Sequence, residues 1–248
     1  MLDNRVRLIS LTWLPANGGL IQPAQQIGAL ARAANIPFFL DAAQAVGQMP
    51  VNVRVLNCDV LTAPGRKWLR GPRGTGLLYI RQGFLSQLSP SAVDHFSAPL
   101  TRGNYLLRDD AKRFETSEAN VAARLGLGQA IHEALSVGLD EIQKIVREKA
   151  HTIRTHLKDM PHVQNHDLGT EHSGLIAFTV DRLSAHEVRA HLRQHHIEIA
   201  VNGIAFTPLD MQARGLTEIA RISPHITTTD EEIARLLEVI SHLRHIAP

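Results

Sequence analysis

The stretch Val6–Ala43, VRLISLTWLPANGGLIQPAQQIGALARAANIPFFLDAA, decides the fold. It places two apolar runs, Val6–Trp13 and Pro37–Ala43, on either side of a segment with helical spacing. Pro23 opens that segment, where a missing N–H costs nothing, and Ile27, Leu30, Ala31 and Ala34 share one helical face before Asn35. Strand, helix, strand at this spacing is a βαβ unit, which implies a parallel sheet covered by helices. Ligands of such sheets sit at the carboxyl ends of the strands.

Downstream, two further short runs, Asp59–Ala63 and Gly76–Ile80, extend the same sheet. A loop-like region, Gln82–Glu118, leads to a long helical tract that starts near Asn120 and is interrupted at Gly138. Beyond Gly138, Leu139, Ile142, Val146, Ile153 and Leu157 form one apolar stripe on a charged helix. The pattern then predicts a strand at Leu175–Val180, a helix at Ser184–His195, a strand at Ile197–Val201 and a short strand at Ile219–Ser223. A last helix is announced by Thr229-Asp230-Glu231-Glu232, a capping-box pattern, with Ile233, Leu236, Leu237 and Ile240 behind it. The expected organisation is α/β: a mainly parallel sheet with helices over 1–137, then a smaller α+β domain over 138–248 that includes the interdomain helix.

Composition narrows the function. With 248 residues, 44% apolar and 20% charged, the chain can bury a sizeable core. No apolar run approaches the length of a membrane span, because Asp41 cuts Ile36–Val46 almost in half. A formal charge of +2 and 4% aromatic residues argue against nucleic acid as a partner. Cys58 is the single cysteine, so neither a disulfide framework nor a cysteine-rich zinc site can form, and cytoplasmic residence is the expected default.

Three stretches fall where the first strands should end: Asn17-Gly18-Gly19, Asp41-Ala42-Ala43-Gln44, and Thr62-Ala63-Pro64-Gly65-Arg66-Lys67-Trp68. A carboxylate, a carboxamide and a lysine beside an arginine suit a ring cofactor that needs an acid for its nitrogen, a donor for its phenolic oxygen and an amine for an imine. In these residues the chain resembles the class V aminotransferases, a family of fold type I enzymes that use pyridoxal 5′-phosphate (PLP) and include cysteine desulfurases, epimerases and C–S lyases. The stretches that carry the likeness are Leu40–Val53 (LDAAQAVGQMPVNV) and Cys58–Arg81 (CDVLTAPGRKWLRGPRGTGLLYIR). It extends from Leu8–Gln44 through Arg113–Ala130 (RFETSEANVAARLGLGQA) to Ala220–Ile233 (ARISPHITTTDEEI).

The resemblance implies a role for each of several residues. Lys67 would form the Schiff base with PLP and shuttle the substrate Cα proton, Asp41 would pair with the pyridinium nitrogen, and Gln44 would hydrogen-bond the phenolic oxygen. Arg66 would contact the phosphate where relatives have a histidine, with Thr62 adding a hydroxyl, while Pro64 replaces a serine common in relatives. Asn17 would lie near substrate or cofactor, and Arg221 would hold the substrate carboxylate in a bidentate fork. Thr116 and Ser117 match a loop that in relatives approaches the other subunit's cofactor, which implies a homodimer. An amino-acid substrate reacting through an external aldimine follows, with transamination expected first and C–S cleavage or epimerisation as alternatives. The segment Ala200–Met211, where desulfurases carry a reactive cysteine, has none. The family pattern also includes strands and a glycine/threonine phosphate loop ahead of the part matched here. The chain is therefore expected to be N-terminally truncated, and a non-catalytic remnant or dimerising interaction module is a further alternative.

Two other patterns fail on context. Gly71-Pro72-Arg73-Gly74-Thr75-Gly76 precedes a strand instead of joining a strand to a helix, so it reads as a tight loop and not a nucleotide loop. His186 and His191 are five residues apart, which separates them by about 140° on a helix, so no zinc site is expected; His191 and His195 do share a face.

Overall fold

A computed structural model describes residues 2–243 of the chain. The backbone groups into two compact units. The first comprises Met1–Trp13, Pro23–Gly47 and Val51–Ser136; the second comprises Leu14–Gln22, Gln48–Pro50 and Val137–Pro248. The sequence pattern suggests one boundary at 137/138, whereas two short excursions of the early chain group with the later unit.

In the first unit a four-stranded sheet has the order β1 (Ile9–Thr12), β2 (Phe38–Asp41), β3 (Val60–Pro64), β4 (Gly76–Ile80). β1, β2 and β3 are parallel, as the βαβ pattern requires, and β4 returns antiparallel on β3. Helix α1 (Ala24–Ala33) follows β1, and its buried face keeps Ala31 and half-buried Ile27 of the expected stripe but not Leu30 or Ala34. Ala24, Gly28 and Ala31 are buried, while Leu30 is 60% exposed. The reason is close approach: a Cβ on Gly28 would overlap the Leu56 carbonyl and come within 3.2 Å of the Phe38 ring. Small residues let the helix lie directly on β2 and on the single turn α2 (Val53–Leu56), which Asn52 caps by accepting from the Arg54 and Val55 N–H groups. Both phenylalanines of β2 read as core in the sequence; Phe38 and Leu40 are fully buried, whereas Phe39, on the opposite face, is only partly so.

The loop-like region contains the turn α3 (Gln82–Leu85) and a two-stranded hairpin, β5 (Leu100–Thr101) and β6 (Asn104–Tyr105). It ends at α4 (Val121–Val137), in which only Leu127 and Ala134 are buried. Gly138 adopts φ of +91°, a left-handed conformation that ends α4 just before α5 (Leu139–Lys158).

The second unit is an antiparallel sheet in the order β7 (Val163–Asn165), β8 (Ile176–Val180), β10 (Glu218–Ile222), β9 (Ala200–Gly203). Its strands show period two. Ile176, Phe178, Val180, Ala220 and Ile222 face a core shared with α5, α6 (Ala185–Gln194) and α8 (Asp230–His242). Ala177 and Ile219 face the other way, against Met211 of the short helix α7 (Pro208–Ala213). The α5 stripe buries Ile142, Val146, Ile153 and Leu157, and α8 buries Ile233, Leu236, Leu237 and Ile240, as their spacing predicts. Each fully buried side chain of this kind contributes about 1.5–3 kcal/mol of transfer free energy. The Thr229–Glu232 capping box is formed, and Ser184 and Glu187 make a second one on α6. β9 begins later than the apolar run at Ile197 suggests. His196 takes φ of +59° and Ile197 N–H returns to the Leu192 carbonyl, so Ile197 closes the helix instead of starting the strand.

Candidate active site

In the first unit the chemistry-bearing residues gather at the carboxyl ends of β2 and β3. Asp41 is the last residue of β2 and is exposed; its carboxylate accepts from the Ala43 N–H at 2.9 Å, and its carbonyl accepts from the Trp13 N–H. Thr62 is its register partner on β3, so the two side chains share a face of the sheet. Both line an open cavity of about 980 Å³ whose other wall includes Phe114, Glu115, Asn120 and Arg124. Gln44, Arg66, Lys67 and Thr116 do not line that cavity.

The lysine lies on a pinned loop. Gly65 N–H donates to the Thr75 carbonyl at 2.9 Å, and Gly71 N–H donates to the Gly65 carbonyl at 2.8 Å, which closes Gly65–Thr75 on itself. Arg70 adopts φ of +58°, and its N–H reaches back to the Lys67 carbonyl. Helix α4 packs on this loop, so that a Cβ on Gly65 or Gly71 would meet the Leu127 side chain and one on Gly126 would meet Pro72. Lys67 is thus half-buried on a stiff turn, and Arg66 beside it is exposed.

Gln44 is buried, and its Oε1 accepts from the Trp68 indole N–H at 3.0 Å. This bond, which residue types alone did not reveal, ties the loop after Asp41 to the loop carrying Lys67 and orients the carboxamide. Gly47, at φ of +93°, allows the same two loops to touch, since a Cβ there would lie 3.0 Å from Leu69 Cα. Thr116 is exposed and donates to the Glu118 carbonyl, while Ser117 N–H donates to Asp94 at 2.7 Å. The Ser117 and Ser97 backbone N–H groups hold the Asp94 carboxyl well below the usual carboxylate range, so Asp94 anchors that loop as an anion.

The second unit holds the other two predicted site residues. Arg221 occupies a β10 position facing away from the helix-packed core, opposite Ala177 in register. Its Nη1 donates to the Ala16 carbonyl at 2.9 Å, and its Nε is buried without a partner. Burial pulls its pKa down from the ordinary value, and no carboxylate among the described residues pairs with it. Asn17 is buried, and its amide has protein partners on both sides: Nδ2 donates to the Gly203 carbonyl and to Thr207 Oγ1, and Oδ1 accepts from Asn202 Nδ2. Asn202, a β9 residue outside the sequence motifs, also donates to the Ala16 carbonyl, so it shares an acceptor with Arg221.

Cys58 is 1% exposed, and burial pushes its thiol up to about 11. It is an inert core residue at neutral pH. The His191 and His195 rings lie 5.0 Å apart between centroids with their planes tilted by 51°, and no group of three metal-binding side chains occurs among the described residues. No helix among those residues is long and apolar enough to cross a membrane.

The family model for class V aminotransferases matches residues 1–236. The chain belongs to that family. Its members are PLP-dependent. A cysteine desulfurase from Serratia proteamaculans is 31% identical over 99% of this chain and 60% of its own length. The solved cysteine desulfurase of Thermococcus onnurineus superposes with a TM-score of 0.89 at 28% identity, covering 96% of this chain and 60% of that one. The cystine C–S lyase C-DES, solved with its product cysteine persulfide, gives a TM-score of 0.85 at 26% identity over 97% of this chain and 62% of its own. A C-DES variant carries glycine covalently linked to PLP. The fold is therefore the C-terminal part of PLP fold type I, and this class V chain spans about 60% of the length of the curated relatives it matches.

Proposed function

We propose that the chain belongs to a PLP-dependent enzyme that acts on an amino acid and cleaves a C–S bond, releasing sulfur without a protein thiol as acceptor. The observation that carries the substrate class is Arg221: a half-buried guanidinium whose enclosed Nε has no protein partner and which has no carboxylate beside it can receive an anion. Arginine stays protonated even when burial disfavours its charge, so an anionic ligand would supply the counter-charge that the protein does not. C–S cleavage is supported by relatives named cysteine desulfurase and cystine C–S lyase. The segment Ala200–Met211, where the resemblance places a desulfurase's reactive cysteine, contains none, and Cys58 is buried in the core, which favours release of the sulfur over its capture at this site.

The residues present fit PLP. An exposed carboxylate ends a strand at the sheet rim, a hydroxyl stands beside it in register, and a lysine lies on a loop tied through Trp68 to the loop after that carboxylate. PLP supplies an electron sink for the bond broken at Cα or Cβ. Asp41 holds positive charge on the ring nitrogen, which keeps that sink effective. Lys67 Nζ binds the cofactor and moves the proton at substrate Cα, for which its amine must be neutral. Gln44 supplies a fixed hydrogen-bonding group, and Arg221 orients the substrate by its carboxylate. The enzyme is proposed to work as a homodimer, with Thr116 and Ser117 at the neighbouring cofactor, Arg66 and Thr62 on the phosphate and Asn17 near the substrate, next to the Ala16 carbonyl that accepts from Arg221.

Two measurements test this. Borohydride treatment of the purified chain with PLP should leave one covalently modified peptide, containing Lys67, and none in Lys67→Ala; labelling that ignores the substitution refutes the cofactor assignment. With cystine as substrate, ammonia should appear one for one with the keto acid. Nitrogen passing instead to an added 2-oxo acid, with no free ammonia, would identify a transaminase.

A further inference from the structure

Asp167 is a 1%-exposed carboxylate that follows the end of β7, and no sequence motif includes it. Its Oδ2 accepts from Arg154 Nε of α5 at 2.6 Å. Its Oδ1 accepts from the Gly19 N–H at 2.7 Å and from the Ala177 N–H at 3.0 Å. β7 stops at Asn165, so the carboxylate takes the place of the next backbone acceptor along β8 and at the same time grips the glycine loop. Arg154 Nη2 completes the brace by donating to the Ser173 carbonyl at 2.8 Å and to the Leu175 carbonyl. Ser173 N–H in turn donates to the Gly19 carbonyl.

This brace lies two and three residues from the groups that hold Arg221. Ala16 presents the carbonyl that accepts from Arg221 Nη1, and Asn17 is held by Asn202. Ala177, whose N–H meets Asp167, is the β8 residue in register with Arg221. Gly19 has no room for a side chain, because a Cβ would come within 2.6 Å of the Leu175 carbonyl oxygen and 3.0 Å of Asp167 Oδ2. Asp167 therefore grips both the loop whose Ala16 carbonyl accepts from Arg221 and the β8 residue in register with it.

We propose that Asp167, braced by Arg154, is a positioning residue for Arg221: it clamps the Ala16–Gly19 loop and Ala177 so that the guanidinium keeps the orientation in which it receives a carboxylate. The clamp itself follows from hydrogen bonds within one unit. Only the identity of what Arg221 receives rests on the function proposed above.

The test uses the full chain with arginine side chains labelled in 15N, and reads the Arg221 Nε–H resonance, assigned by its loss in Arg221→Lys. In the ligand-free protein, Asp167→Asn should speed solvent exchange of that proton about tenfold, a step within the range of coupling between residues of one network. Asp59→Asn, which breaks a comparable buried ion pair with Arg81 in the other unit, should leave it unchanged. Equal acceleration in both variants would mean general loosening and would overturn the proposal, as would no change in Asp167→Asn. Glycine then serves as the carboxylate probe. Its affinity, measured by calorimetry, should fall about tenfold in Asp167→Asn, and the same change should have no further effect in an Arg221→Lys background. Independent, multiplying effects would overturn the proposal. Glycine binding that ignores Arg221→Lys would refute the carboxylate reading alone, with the exchange measurement still deciding the clamp.

Discussion

The sheet rim of the first unit and the arginine face of the second are built on opposite principles. On the rim, Asp41, Thr62, Arg66 and Thr116 are exposed, and what is stiff is the backbone beneath them. On the arginine face Arg221 is half-buried with its Nε enclosed, and hydrogen bonds run from Arg154 through the Asp167 carboxylate to the Gly19 N–H, three residues from the Ala16 carbonyl that accepts from Arg221. A group that reacts with a cofactor must be accessible to it, whereas a group that only orients an anion gains strength from a dry site.

That contrast can be broken most sharply at Arg221. Arg221→Leu should lower kcat/KM for an amino-acid substrate by about a hundredfold or more, since losing one partner of a desolvated, hydrogen-bonded charge pair costs about 2–5 kcal/mol. A drop no larger than that of Arg66→Leu would erase the distinction between the buried and exposed cations. Next comes stability. Arg154→Met strands the buried Asp167 charge and should cost about 3–5 kcal/mol in denaturant unfolding of the second unit. Arg147→Met removes an exposed pair with Glu171 and should cost under about 1 kcal/mol. Comparable losses would show that the interior network matters no more than a surface one.

The smallest effect is on pH dependence. His166 is buried beside the clamp, and desolvation, aided by Arg214, lowers its pKa. The unfolded chain therefore takes up a proton at this site before the folded one does. Stability from His166 should be constant above about pH 6.5 and fall as pH drops through that value, levelling off below the folded-state pKa. His166→Asn should flatten the slope between pH 7 and 5. A slope that persists unchanged would assign it to other histidines.

Much of the rim was legible in the sequence because its chemistry demands particular residue types. Asp41 and Lys67 stand out by type, by order and by falling where strands should end, and the structure puts them on β2 and the loop after β3. The α5 and α8 stripes were legible because a helix repeats its buried face every three to four residues. Leu30 was misread for a physical reason: the spacing marks an apolar face, but a glycine contact between backbones outranks it. The Gln44–Trp68 bond left no pattern, because an indole and an amide 24 residues apart carry no local period.

What the sequence determined by itself was the order of the longer elements and the parallel core of the first sheet, since periodicity is a local property; the hairpin, β7 and the short helices left no such period. What only the tertiary structure decided was which polar groups are buried and what satisfies them. Asp167 meets Gly19 across 148 residues, and Arg221 meets Ala16 across 205. Such pairings are set by burial, where an unpaired charge or N–H costs several kcal/mol, and burial is a property of the folded chain as a whole.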